Sequence, residues 1–309
     1  MYSVAVLMST YNGASYLREQ IDSILAQKNV DVKLYIRDDG STDNTEEILK
    51  EYSDKCSNVS YYIGENKRSC KSFLELLYKE YSEDFFAFAD QDDVWRDDKL
   101  YSGIMQIEEK EKNKRGPILY YSNLEIVDEN LFFHRLSHLK PLICKHKYLP
   151  LVENLATGCT IIFNRDAYAL ALKYKIPSYT MHDSLMFALC SIFGEIVYDF
   201  SPHIQYRQHS ANVIGTALER NFINFLAECK VRFLRLFNRE LQPSFSNVNV
   251  LWTYCGSDLP YDYKKVCKLI VDYKTSLSSK VQLFFCREYR PNSWLKNITT
   301  RILILFEIV

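Results

Sequence analysis

The sequence predicts an α/β fold: a mostly parallel sheet flanked by helices, with a helical C-terminal extension. Three observations carry that reading. Short apolar runs alternate with stretches whose apolar residues recur at helical spacing. Each of the first runs stops at polar or acidic residues, and the character of the chain changes after about residue 213. Strands alternating with helices at this rhythm are joined by right-handed crossovers, which makes them parallel and brings their carboxyl ends to one edge.

Tyr2 to Ser9 reads as a first strand ending in Ser9-Thr10-Tyr11-Asn12-Gly13, and Tyr16, Ile21, Ile24 and Leu25 mark the helix after it. Val30 to Ile36 is a second strand. It ends in Arg37-Asp38-Asp39-Gly40-Ser41-Thr42-Asp43, where Ser41, Thr42 or Asp43 can cap the helix that carries Ile48 and Leu49. Val59 to Ile63 is a third strand, and Phe73, Leu74, Leu76 and Leu77 mark a third helix leading into Phe85–Ala89. That last run is apolar throughout, as a strand buried on both faces should be, and it delivers Asp90-Gln91-Asp92-Asp93 to its end.

A helix expected from Trp95 or Arg96 to about Asn113 precedes a strand at Ile118–Tyr121 and a hairpin-like alternation from Asn123 to Phe133. After a polar linker rich in His and Lys (His134 to Lys147), Thr157-Gly158-Cys159-Thr160-Ile161-Ile162-Phe163 reads as a strand whose glycine lies close to a ligand or another backbone. Asn164-Arg165-Asp166 caps a further helix. Met181-His182-Asp183-Ser184 begins another, and two strands, Ile196–Phe200 and Ile204–Arg207, lead to Gln208-His209. The predicted domains are thus residues 1–213 and a helical region over 214–309. In the latter, Phe222, Phe225, Leu226, Phe233 and Phe237 share a helical face among Lys230, Arg232, Arg235 and Arg239, and a second helical stretch runs from about Tyr263 to Phe285.

Composition limits the function. At 309 residues and 47% hydrophobic content the chain is globular, without low-complexity segments or internal repeats. Nine cysteines without a Cys-x-x-Cys pair argue against a disulfide framework and against structural zinc. No run reaches the length of a membrane span and the start lacks a signal-peptide pattern, so the expected location is cytoplasmic. From Ile214 onward there are 14 Lys and Arg against 8 Asp and Glu, a net of +6, while the remainder holds 24 against 31, or -7. An acidic front does not suit nucleic acid. A basic, aromatic tail suits an anionic surface, with packing on the first domain or homodimerisation as the plain alternatives.

Three carboxylates spaced Asp-x-Asp-Asp repel one another unless a cation sits among them or water reaches them all. Spacing alone leaves a hard divalent metal site, Mg²⁺ or Mn²⁺, and a solvated acidic turn both open. In parallel sheets ligands bind beyond the carboxyl ends of strands, so Thr10, Tyr11, Asp38 and Asp92 should converge on one crevice, which favours the metal site. Asp183 falls in the first turn of its helix, where a cap is the bland reading and the helix dipole favours its ionised form.

Taken together, Ser9-Thr10-Tyr11-Asn12, Asp38-Asp39-Gly40-Ser41, Asp90-Gln91-Asp92-Asp93, His182-Asp183 and Arg207-Gln208-His209 resemble the bacterial family 2 glycosyltransferases of Rossmann-like GT-A fold, over roughly residues 1–213. The resemblance implies a nucleotide-sugar donor held by Ser9, Thr10, Tyr11 and Asp38 at its base and by Asp90 at its ribose, with Arg207 offsetting diphosphate charge. It implies a divalent metal (Mn or Mg) on Asp92 and His209, and Asp183 as the catalytic base of an inverting transfer. Asp-Gln-Asp-Asp-Val-Trp with the later Met-His-Asp and Tyr-Arg-Gln-His resembles the rhamnosyltransferases of capsule, O-antigen and wall polysaccharide synthesis. That implies dTDP-L-rhamnose as donor, UDP-galactose or UDP-glucose as alternatives, a glycan or lipid-linked acceptor, and peripheral contact with the inner face of the cell membrane.

One departure stands out: where the family often has Asn-x-Gly after the third strand, this chain has Asn66-Lys67-Arg68, so a turn needing positive φ would strain Arg68. Arg68 or Lys71 could then reach donor phosphates. Two rival functions are weaker. A nucleotidyltransferase on the same fold usually carries a Gly-rich phosphate loop near its N-terminus, where Gly13 stands alone here. A non-catalytic binding module would have lost acids, and all the expected acids are present.

Overall fold

The structure is a computed structural model that describes residues 1–142, 144–209 and 243–306. The expected aromatic stripe from Phe222 to Phe237 and the boundary at 213/214 lie outside the described residues. The chain divides into two compact units, Met1–Leu142 with Asn154–His209, and Ile143–Glu153 with Ser210–Val309. The sequence boundary did not anticipate that Ile143–Glu153 groups with the later residues.

In the first unit, β1 (Tyr2–Thr10), β2 (Val30–Asp38), β3 (Val59–Ile63) and β4 (Phe85–Ala89) alternate with α1 (Leu17–Leu25), α2 (Thr45–Lys55) and α3 (Arg68–Leu77). The strands pair in parallel in the order β3-β2-β1-β4. All five residues of β4 are buried, as expected of an apolar run in a sheet covered on both faces. Register positions the site: Met8 lies beside Ala89 and Thr10 beside Asp38, so the polar residues following β1, β2 and β4 emerge at one edge.

Beyond β4 the sheet mixes directions. β8 (Ile162–Asn164) runs antiparallel between β4 and β6 (Ile118–Val127), while β9 (Glu195–Arg207) runs parallel to β6. β7 (Phe133–Leu136) forms a hairpin with β6, and β5 (Val94–Trp95) pairs antiparallel with the far end of β9. The helices are α4 (Lys99–Asn113), α5 (Arg165–Tyr174) and α6 (His182–Phe193).

Three local expectations change. The helix expected from Trp95 or Arg96 begins only at Lys99, and Trp95 is instead strand with Val94, because the Trp95 N–H donates to Ser23 Oγ (3.0 Å) and the pair lies against Ile204 and Gln205. Residues Gly158–Thr160 form a single 3-10 turn before β8, so the extended stretch there is shorter than its apolar run. The two strands expected at Ile196–Phe200 and Ile204–Arg207 are one, with a register shift where Asp199 lies beside Ser122 and Pro202 beside Asn123; Pro202 has no N–H to give the ladder.

The second unit is helical: α7 (Pro243–Cys255), α8 (Tyr261–Asp272), α9 (Leu277–Phe285) and α10 (Trp294–Phe306), consecutive helices packing on one another. Its core includes Phe245, Val248, Leu251, Cys267, Ile270, Leu283, Tyr289 and Ile304. The expected stretch from Tyr263 to Phe285 is two helices, α9 starting where Ser276 Oγ accepts from the Ser279 N–H.

Candidate active site

The site is built on the turn that ends β4. Gln91 fastens it to the end of β1 twice, its amide nitrogen donating to the Tyr11 carbonyl (3.1 Å) and its oxygen accepting from the Tyr11 N–H (2.8 Å). Gln20 of α1 donates to the Asp90 carbonyl (2.8 Å). From β9, the Arg207 N–H donates to Asp93 Oδ1 (3.2 Å), Arg207 Nε donates to the Asp92 carbonyl (2.8 Å), and His209 Nε2 lies 2.8 Å from Asp92 Oδ2. The structure therefore joins Asp92 and His209, which are 117 residues apart in sequence.

The acids of this turn are electrostatically strained. Burial, and then the charges of Asp92 and Asp183, push the Asp90 carboxyl up to about 7. Burial with Asp92 and Asp90 drives the fully buried Asp93 well above the carboxylate range, against bonds from the Arg207 N–H and the Cys159 thiol. Ligand atoms of Asp90, Asp93 and Cys159 lie within 4.8 Å of one another, and Asp93 Oδ2 has no partner among the described residues. The expected ligands Asp92 and His209, bonded to each other, are not part of that cluster; a carboxylate and an imidazole are donors that would suit a divalent cation, which would relieve the repulsion among the acids, whereas the Cys159 thiol is too soft a ligand for a hard ion.

Asp183 lies at the start of α6, close enough for its charge to act on Asp90 and on Cys70 of α3. Burial pushes its carboxyl up to about 6, against bonds from the Ser184 and Gly158 N–H groups and the Asn154 side chain. A carboxyl poised near neutrality suits a general base. His182 anchors the helix start: buried, stacked on Phe73 at 3.9 Å and edge-on to Phe88 at 4.6 Å, it is held neutral, its pKa pushed down to about 3 by burial. A side chain at Gly158 would press on His182, its Cβ only 3.1 Å from Nε2, so glycine is what lets this turn approach Asp183.

The β1–β2 side differs. Thr10 and Asp38 are buried, and Asp38 accepts from Thr10 Oγ1 (2.8 Å), Ser41 Oγ (2.6 Å) and the Ser41 N–H (2.8 Å). Ser9 Oγ is bonded to Ser72 Oγ at 2.6 Å, while Tyr11 is 47% exposed. Arg207 has partners within the protein. Its buried guanidinium bonds the Asp92 and Glu129 carbonyls, pairs with Glu19 and lies 4.5 Å over the Tyr16 ring, so it also holds the turn in place.

The strain expected at Arg68 is present, at φ +63°. Asp39 holds it by accepting from the Lys67 and Arg68 N–H groups, and Asp39 is itself paired with the buried Arg37. Arg68 and Lys71 line a cavity of about 750 Å³ that reaches Pro177 and Tyr179, just before α6.

Sequence reasoning missed Asp39, Asn154 and Lys99. The side chain of Lys99 is fully buried, its Nζ 3.4 Å from the Trp95 ring and without a hydrogen-bond partner among the described residues. Burial lowers its pKa to about 7 against the charges of Cys159 and Asp93. The one signal available was Asp93-Val94-Trp95 followed by a lysine at a helix start.

A parallel α/β core opening at its carboxyl edge onto crowded acids and a separate near-neutral carboxyl defines a GT-A type glycosyltransferase. Residues 5–169, over half the chain, match Glycosyl transferase family 2, and the chain belongs to that family. An uncharacterized glycosyltransferase of Rickettsia typhi is 30% identical over 224 residues, covering 70% of this chain and 67% of that protein. The dTDP-rhamnosyl transferase RfbG of Shigella flexneri is 27% identical, covering 67% of this chain and 73% of its own. The crystal structure of S. aureus TarS 1–349 in complex with UDP-GlcNAc superposes with a TM-score of 0.53 at 15% identity, covering 92% of this chain and 84% of that 1–349 chain, which shows the shared fold.

Proposed function

We propose that the chain transfers a hexosyl group, L-rhamnose from dTDP-L-rhamnose, with inversion to a glycan or lipid-linked oligosaccharide in surface polysaccharide synthesis. The observation that carries the transfer is Asp183, a near-neutral carboxyl facing the acid turn from a different element. Asp183 accepts the proton of an acceptor hydroxyl as its oxygen forms a bond to the anomeric carbon. The bond from that carbon to the donor's phosphate oxygen breaks, and the nucleoside diphosphate leaves with the electron pair.

Asp92 and His209 would hold a divalent cation, which when bound would stabilise charge developing on the diphosphate. Asp90 lies at the ribose side. The exposed face of Tyr11 takes the base, and the Ser9, Thr10, Asp38 and Ser41 bonds shape the wall behind it. Acceptor approach is along the cavity of Arg68, Lys71 and Tyr179, whose lining includes Cys70, a residue close enough to Asp183 to feel its charge.

For the donor, the relative RfbG supports dTDP-L-rhamnose. A second reading, UDP-glucose, is favoured by another relative: the E. coli UDP-Glc:alpha-D-GlcNAc-diphosphoundecaprenol beta-1,3-glucosyltransferase WfgD, 31% identical over 165 residues, 53% of this chain and 61% of its own. That second name, together with the basic helical unit, supports an acceptor presented at the inner membrane face. Thermal melts with a panel of nucleotide sugars and Mn²⁺ test the donor. Selective stabilisation by dTDP-L-rhamnose is expected; selective stabilisation by UDP-glucose would overturn the rhamnosyl assignment, and no response to any nucleotide sugar would overturn the transfer.

A further inference from the structure

The second unit carries a feature that sugar transfer does not use. α9 exposes Leu277, Val281 and Phe285, one residue per turn, and α10 exposes Trp294, Ile298, Ile302 and Leu305 at similar spacing. Leu277, Phe285 and Trp294 are 77%, 72% and 69% exposed. The inner faces of the same helices bury Leu283, Leu303 and Ile304, so the outer stripes are additional to the apolar residues that these helices already bury. Single exposed apolar residues are ordinary; a series on two consecutive helices marks an interaction surface. Arg301 of α10 donates to the carbonyls of Leu283 (2.7 Å), Cys286 (2.6 Å) and Tyr289 (2.7 Å), tying α10 to the end of α9.

The surrounding charge is predominantly positive. Residues 243–306 hold 9 Lys and Arg against 4 Asp and Glu, a net of +5. α8 exposes Lys264, Lys265 and Lys268, and Lys274 and Arg287 are exposed at either end of α9; none of these forms an ion pair among the described residues. No helix among the described residues is long and apolar enough to cross a membrane, so a surface of this kind would lie on a bilayer. A second copy of the chain would set like charges against each other, whereas an anionic bilayer supplies both an apolar layer and negative headgroups.

We propose that α9 and α10 form a docking face for an anionic lipid bilayer, with their exposed apolar side chains at the headgroup boundary and the lysines of α8 held by lipid phosphates. The proposal rests on reading the acceptor as lipid-linked, but its test needs no acceptor. The full chain is sedimented with vesicles of phosphatidylglycerol and phosphatidylcholine, or of phosphatidylcholine alone, at low and high salt, while Trp294 fluorescence is followed. Wild type should bind only the anionic vesicles, less at high salt, with a blue shift.

Phe285→Ser/Trp294→Ser/Ile302→Ser should lose roughly tenfold or more in vesicle affinity. Lys264→Ser/Lys265→Ser/Lys268→Ser should lose on the order of 100-fold at low salt and little at high salt. Both should keep the wild-type melting temperature and donor hydrolysis. Wild type that fails to sediment with anionic vesicles at low salt, or an apolar variant that binds as wild type does, overturns the proposal. So does light scattering that shows a dimer dissociated by the apolar substitutions, which would give the stripes to a second copy. Vesicle binding without any donor-dependent activity would count against the transferase reading alone.

Discussion

The two sides of the crevice are built on opposite principles. Along β1 and β2, Thr10, Asp38 and Ser41 satisfy one another, and Asp38 accepts three hydrogen bonds while buried. Along β4, β9 and α6, Asp90, Asp93 and Asp183 are pushed toward the protonated form, and Asp93 Oδ2 and Lys99 Nζ lack hydrogen-bond partners among the described residues. A buried polar network that is fully satisfied rigidifies a fold, whereas one left incomplete is costly and persists where something else completes it. On the proposed function the first side would be scaffold for the donor base, and the second is where cation, diphosphate and acceptor are expected to restore balance.

Substitutions should reproduce that contrast. The largest effect is expected from Asp92→Ala, which removes the His209 partner and the proposed cation ligand from the strained side: turnover falls by about a thousandfold or more with the melting temperature nearly unchanged. Full turnover of that variant in EDTA would erase the distinction. Next comes the buried charge under the turn. Lys99→Met replaces an amine that burial pushes down to about 7 and that has no hydrogen-bond partner among the described residues, so it should raise stability at neutral pH by about 1–3 kcal/mol. A loss of stability in denaturant melts would show instead that the turn depends on the Lys99 charge. The smallest effect on turnover belongs to the satisfied side: Asp38→Asn should lower stability by roughly 1–3 kcal/mol while kcat stays within a few-fold. A tenfold rise in donor KM with no change in melting would make Asp38 a direct base contact instead.

The satisfied side was also the more legible in sequence. Period, strand ends and turn residues place Thr10, Asp38 and Ser41, because local patterning governs where a strand stops and a helix begins. Asp90-Gln91-Asp92-Asp93 could be read as acids at a strand end, but spacing does not report burial, so the difference between half-buried Asp90 and fully buried Asp93 was invisible. The protein partners of Arg207, the Asp92 and Glu129 carbonyls and Glu19, were not legible because they come from three distant segments. Lys99 escaped notice for a related reason: a lysine at a helix start reads as solvated unless tertiary packing encloses it. The positive φ at Arg68 was foreseeable from the absent glycine, but its support by Asp39 and Arg37 was not.

The central claim is that Asp183 is strained for catalysis and is more than a helix cap. Because its folded-state pKa is raised, ionising it as pH climbs through about 6 weakens the fold, while transfer needs the ionised form. Asn caps a helix about as well as Asp, so the decisive measurement is Asp183→Asn, followed by donor binding, melting at pH 8 and the pH dependence of kcat/KM. The account predicts wild-type donor affinity, a melting temperature at or above wild type, turnover lower by about 10²–10⁴-fold, and loss of the limb near pH 6. Normal turnover with that limb intact would contradict it and return Asp183 to the helix.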